Sequence, residues 1–141
     1  METNTPNIWE TQLLRPKADP KEYISHVFRE LSNLCAREND KWNYDPVNGN
    51  RIVLNKGERI ALMHAELSEA LEGLRKDKMD DHLTHRKAVE VELADLLIRV
   101  LHFSGDEGLD LGGALVEKLD YNRVRADHTD AARASQHGKR F

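Results

Sequence analysis

Two stretches of the chain, residues 60–71 and 89–98, are apolar on nearly every side, yet each carries two acidic residues three positions apart. They are Glu66 and Glu69 in the first stretch and Glu92 and Asp95 in the second. Apolar residues all round mark helices that lie among other helices. On such a helix, a spacing of three sets both carboxylates on one face, about 60° apart. A carboxylate placed there is costly to desolvate unless something positive neutralises it. Few lysines or arginines lie close by within these segments, so a bound cation is the economical counterion.

The heights agree. If the first helix ends near Arg75 and the second begins near Arg86, Glu69 and Glu92 each lie about 9 Å from the connected ends, at 1.5 Å per residue. A short connection makes the helices antiparallel neighbours, so the two pairs face each other at one level. Four converging carboxylates offer oxygen ligands alone, which suits a hard cation, Mg²⁺ or Mn²⁺. The ordinary alternative is that these groups sit at the edge of the bundle, solvated or paired with Arg59, Arg75 or Arg99. A di-iron centre is set aside, because no histidine follows a glutamate by three residues as Glu-x-x-His sites require. Glu58, Glu72 and Glu90 are close enough in sequence to replace a member of the set. Solvent is the expected place for Glu72, and Glu90 points roughly 160° away from Glu92.

The rest of the chain reads as helices around this pair. Ile24, Val27, Phe28, Leu31, Leu34 and Cys35 recur at three- and four-residue steps, which predicts a helix over residues 20–38 with Pro20 in its first turn. Residues 39–56 break the period with Asn43, Asp45, Pro46, Asn48, Gly49 and Asn50, around the aromatics Trp42 and Tyr44. A loop of that length in a compact domain is more often functional than not. Trp42 and Tyr44 are either plugs of the core or a lid that stacks on a base. The next helix starts near Gly57, with Ile60, Met63, Leu67, Ala70, Leu71 and Leu74 expected on its inner side. A charged connection, 76–87, holds His82 and His85. The third helix, 86–103, is the most apolar and is expected at the centre of the core. After a turn at 105–108 a fourth helix runs over 109–125, weakened locally by Gly112 and Gly113. Strand-like alternation and internal repeats are absent. The fold expected is an all-α antiparallel bundle of about four helices, formed by residues 21–125. Residues 1–20 read as an arm that packs through Ile8, Trp9, Leu13 and Leu14, and 126–141 as a flexible tail.

Charge and composition narrow the classes of function. The net charge is −4 with both signs interspersed, which lacks the basic patch of a nucleic-acid binder. The single cysteine, Cys35, has no partner for an intramolecular disulfide. The N-terminus has no apolar core of signal-peptide length, and no run approaches the roughly 18 apolar residues of a membrane span. A cytoplasmic protein, away from membranes, is the expectation.

A second constellation lies on the fourth helix. Lys118, Asn122 and Arg125 share one face, with Tyr121 beside them. Cations and amide donors so arranged suit a bound polyphosphate. A solvated polar face is the alternative.

Taken in order, Glu66-x-x-Glu69, Glu92-x-x-Asp95 and Lys118-x-x-Tyr121-Asn122-x-x-Arg125 resemble the motifs of the MazG-like all-α nucleoside triphosphate pyrophosphohydrolases. The resemblance spans roughly residues 28–125. It implies cleavage of (d)NTPs between the α- and β-phosphates, giving a nucleoside monophosphate and pyrophosphate in nucleotide-pool housekeeping. By position it implies that Glu66, Glu69, Glu92 and Asp95 hold Mg²⁺, with Mn²⁺ as a substitute. Lys118, Tyr121, Asn122 and Arg125 would meet phosphates or sugar, and Trp42 would lie near the base. Glu69 is the candidate to accept the proton of the attacking water. A homodimer or homotetramer is implied as well. One departure stands out: Ala65 occupies a position where many members carry a further glutamate. That departure keeps open a non-catalytic module of the same fold that holds a nucleotide or a partner helix. Phosphoribosyl-ATP hydrolysis is a further alternative within the fold.

Overall fold

The computed structural model describes residues 19–125, together with Ala131 and Ala134. The arm up to Ala18 and the tail beyond Arg125, apart from those two alanines, lie outside the described residues. Four helices make up the described chain: α1 (Pro20–Asn39), α2 (Lys56–Arg75), α3 (Ala88–Asp106) and α4 (Leu111–Val124). Their starts follow local chemistry. Asp19 accepts a hydrogen bond from the Lys21 amide at 2.9 Å, ahead of Pro20. Asn55 caps α2 through the Gly57 and Glu58 amides, and Asp110 caps α4 through the Gly113 amide at 3.1 Å. No described helix is long and apolar enough to cross a membrane.

The loop after α1 is folded, not loose. A 3₁₀ turn, Asp40–Asn43, leads into a tight turn closed by an antiparallel bridge between Tyr44 and Arg51. Asp45 accepts from the Val47 and Asn48 amides, and Gly49 supplies the positive φ, 72°, that reverses the chain. Asn43 is buried beneath this turn, its amide donating to Asp40.

Neighbouring helices follow the order α2, α3, α1, α4, so α2 and α4 form the ends of a row, each packed chiefly on one helix. α2 and α3 run antiparallel, as partners along their seam show. Arg59 meets Asp106, Glu66 meets Arg99, and Gly73 abuts Ala88. At the other end of the row, Gly112 of α4 lies against Ser25 and Phe28 of α1. Gly112 is therefore a packing residue, and the local weakening its sequence suggests is offset by close approach.

The inner stripe expected of α2 is corrected by this arrangement. Ala70 is buried, but Leu71 and Leu74 are 58% and 63% exposed, and Ile60 and Leu67 are also open. With one helix neighbour, α2 covers a single line of residues at steps of four and three: Arg59, Met63, Glu66, Ala70 and Gly73. α3 does sit between α2 and α1, yet its Leu93, Leu97 and Ile98 are exposed while Ala88, Leu101 and Ser104 are buried. The hairpin thus turns charges into its seam and leucines outward.

Candidate functional site

Glu66 and Glu69 come from the middle of α2, Glu92 from the first turns of α3. One carboxylate oxygen of each lies within 4.8 Å of the others. Asp95, one turn further along α3, adds a fourth carboxylate whose charge acts on Glu92. Three of the four expected carboxylates thus converge, while Asp95 does not come within that distance of all of them. Glu66 is the buried member, 6% exposed, while Glu69 and Asp95 face solvent and Glu92 is half-buried.

Burial and then the charges of Glu69, Glu66 and Asp95 push the Glu92 carboxyl above its usual range. Asp95 is raised by burial and by Glu66, against an opposing pull from Arg99. These directions belong to carboxylates held together with too little positive charge. Arg99 supplies one cation: its Nε donates to Glu66 Oε1 at 2.6 Å. The alternative of pairing with Arg99 thus holds for Glu66, with Arg99 four residues after Asp95 on the same face of α3. The described carboxylates still outnumber it. Buried Glu66 and the three carboxylates near it offer oxygen donors alone, the donor type of a hard divalent cation.

A cavity of about 510 Å³ opens beside the cluster, with Asp95 and Arg99 in its wall. Leu54, Leu62, Met63 and Ile98 give it apolar sides, and Trp42 of the 3₁₀ turn borders it. Arg59, Asn39 and His102 contribute polar groups. Behind them, Asp106 Oδ2 is 2.9 Å from Arg59 Nη2 and 3.0 Å from His102 Nε2. Trp42 is largely exposed, with the Lys41 ammonium 5.2 Å from its ring centre.

Lys118, Tyr121 and Asn122 lie on α4, and Arg125 follows as its extended C-terminal cap, the helix ending one residue short of its expected end. The Lys118 ammonium stands 4.7 Å and the Arg125 guanidinium 5.7 Å from the Tyr121 ring centre. Asn122 has a buried Oδ1 without a hydrogen-bond partner among the described residues. None of the four lines the cavity, and α4 packs on α1 rather than on α2. Glu72 pairs with Arg75 and Lys76, and Glu90 with Arg86, so both lie outside the cluster as expected.

Arg99, His102 and Asp106 had not been singled out as a functional set. A signal for them exists: Glu92, Asp95, Arg99, His102 and Asp106 follow one another at steps of three and four, a polar stripe along an otherwise apolar helix. Compared with protein-family models, curated proteins and solved structures, the chain matches none.

Proposed function

We propose that this chain is a Mg²⁺-dependent (d)NTP pyrophosphohydrolase that cleaves between the α- and β-phosphates, releasing a nucleoside monophosphate and pyrophosphate. The observation that carries the reading is the convergence of Glu66, Glu69 and Glu92 within 4.8 Å, beside a cavity large enough for a small molecule. In this reading Glu66, Glu69, Glu92 and Asp95 hold the metal. Mg²⁺ bound there would offset phosphate charge and acidify a water. Glu69, exposed beside its buried neighbour Glu66, accepts the proton of the attacking water. Lys118 and Arg125 balance phosphate charge, with Tyr121 and Asn122 on phosphate or sugar. α4 packs on α1 in the single chain, so a homodimer or homotetramer is part of the reading. A second copy would also cover the outward leucines of α2 and α3.

A non-catalytic nucleotide-binding module is the second reading, and the Arg99–Glu66 pair favours it, since one ligand is already neutralised. Product analysis separates the two. The common NTPs and dNTPs, with dUTP, are incubated with the protein in Mg²⁺ or EDTA, and products are resolved by ion exchange. Monophosphate with pyrophosphate, abolished by EDTA, is the expected result. Diphosphate with phosphate would refute the α–β assignment, and retained nucleotide without product would support the module.

A further inference from the structure

The cavity has a second polar group of residues, distinct from the acidic cluster. Arg59 comes from the first turn of α2, and His102 and Asp106 from the end of α3. One oxygen, Asp106 Oδ2, lies 2.9 Å from the Arg59 guanidinium and 3.0 Å from the His102 imidazole. The Arg59 and Asp106 side chains are each 14% exposed, and that of His102 13%. The guanidinium also lies over the Phe103 ring, 5.0 Å from its centre. Arg59 is thus held from two sides before any ligand arrives, which lowers the cost of ordering it on binding. Arg59 and His102 line the cavity, whereas Asp106 stands behind them.

An ion pair that merely tied α2 to α3 would need neither a cavity in front of it nor an imidazole sharing its carboxylate. His102 adds a further sign. Its Nε2 is buried and faces Asp106 Oδ2 at 3.0 Å, which fixes the ring and leaves its other edge toward the cavity wall that His102 forms. Burial holds the imidazole below its usual pKa, against the pull of Asp106, which favours the neutral ring with one donor and one acceptor. Arg59 presents donors alone.

We propose that the cavity seats the nucleobase, and that Arg59 and His102, both positioned by Asp106, read its hydrogen-bonding edge. The assignment rests on the nucleotide reading of the preceding subsection. Asp95 and Arg99 belong to the cavity wall and to the acidic cluster, so a polyphosphate anchored at the carboxylates places its nucleoside at the cavity mouth. Leu62, Met63 and Ile98 offer apolar sides to the base, and Trp42 a ring face. A fixed guanidinium requires an acceptor, and a carbonyl oxygen with two lone pairs meets it better than a ring nitrogen with one, which favours uracil, thymine, cytosine or guanine. Adenine carries no carbonyl, and its acceptors are ring nitrogens alone.

The test is an NMR titration of the full chain with AMP, GMP, CMP and UMP in EDTA, so that binding is read without metal or cleavage. The preferred monophosphate is expected to bind about tenfold or more tightly than AMP. His102→Gln and Arg59→Lys are each expected to bring that ratio within about threefold. AMP binding as well as the others, or no monophosphate binding at all, overturns the proposal. So does an unchanged ratio in a folded variant whose melting temperature alone has fallen, the mark of a purely structural role. If one variant fails to fold, the other decides. Glu92→Gln keeps the two readings apart: it should abolish Mg²⁺-dependent cleavage while preserving the base preference in EDTA. Cleavage by that variant would sink the metal reading and leave base recognition to stand on the titration.

Discussion

Glu66 and Glu92 lie across the same seam but in opposite situations. Glu66 has a guanidinium at 2.6 Å, whereas Glu92 has burial and four acidic groups against it. A carboxyl whose folded pKa is raised adds nothing unfavourable while it is protonated in both states. Its cost appears as pH rises from the ordinary carboxylate range, about 4, through the raised folded value, and stays thereafter. Replacing Glu92 with Gln should therefore stabilise the metal-free protein above that window and make little difference below it. Glu92 is partly exposed, so solvent screening keeps the gain to about 1 kcal/mol or less, a rise in melting temperature of up to about 4 °C. Thermal melts of both proteins at pH 4 and pH 7 in EDTA check this; an equal increment at both would show that the crowding is not what burdens Glu92. Mg²⁺ should raise the melting temperature of the wild type at pH 7 and do much less for the variant. The convergence of Glu66, Glu69 and Glu92 was legible because a three-residue spacing fixes a shared face whatever the tertiary structure. Arg99 was legible only as one of three possible partners, beside Arg59 and Arg75, since the carboxylate it meets lies on another helix and a long side chain reaches farther than spacing reveals.

At the level of elements, periodicity located all four helices to within about three residues at each end, where caps such as Asn55 and Asp110 finish the assignment. It misjudged which face each helix covers. The reason is that a stripe of leucines shows that a surface needs cover, not which chain supplies it. Gly112 is a second case, read as a weak point of α4 and found at a contact. A Cβ there would stand 2.7 Å from the Ser25 carbonyl oxygen and 2.9 Å from the Phe28 Cβ, so α4 would have to move off α1. Gly112→Ala should cost about 1–3 kcal/mol despite the better helix propensity of alanine. Urea unfolding would measure it, and a neutral or stabilising result would mean that α4 shifts freely on α1. Gly108, by contrast, has open space around it but a φ of 64°, so strain and not crowding limits substitution there.

For the whole molecule the distribution of apolar surface sets the terms. Leu67, Leu71 and Leu74 on α2 and Leu93 and Leu97 on α3 are all exposed, while the seam between the two helices is occupied by Arg59, Glu66, Arg99 and His102. A hairpin that spends its contact line on polar groups gains little from its own closure, and its leucines gain only if another surface meets them. Leucines exposed at helical steps along both helices give such a face its apolar character. The expected solution state is at least a homodimer with α2 and α3 near the contact. Sedimentation at micromolar concentration should exceed the 16.2 kDa of one chain. Leu71→Glu, which places a charge on that face without touching the seam, should shift the protein toward monomer. It should also lower any triphosphate cleavage, because α4 and the acidic cluster lie at separate places in one chain. A wild-type monomer would remove the interface from the reading. A monomeric Leu71→Glu variant with full activity would mean that the acidic cluster, the cavity and Trp42 suffice within a single subunit.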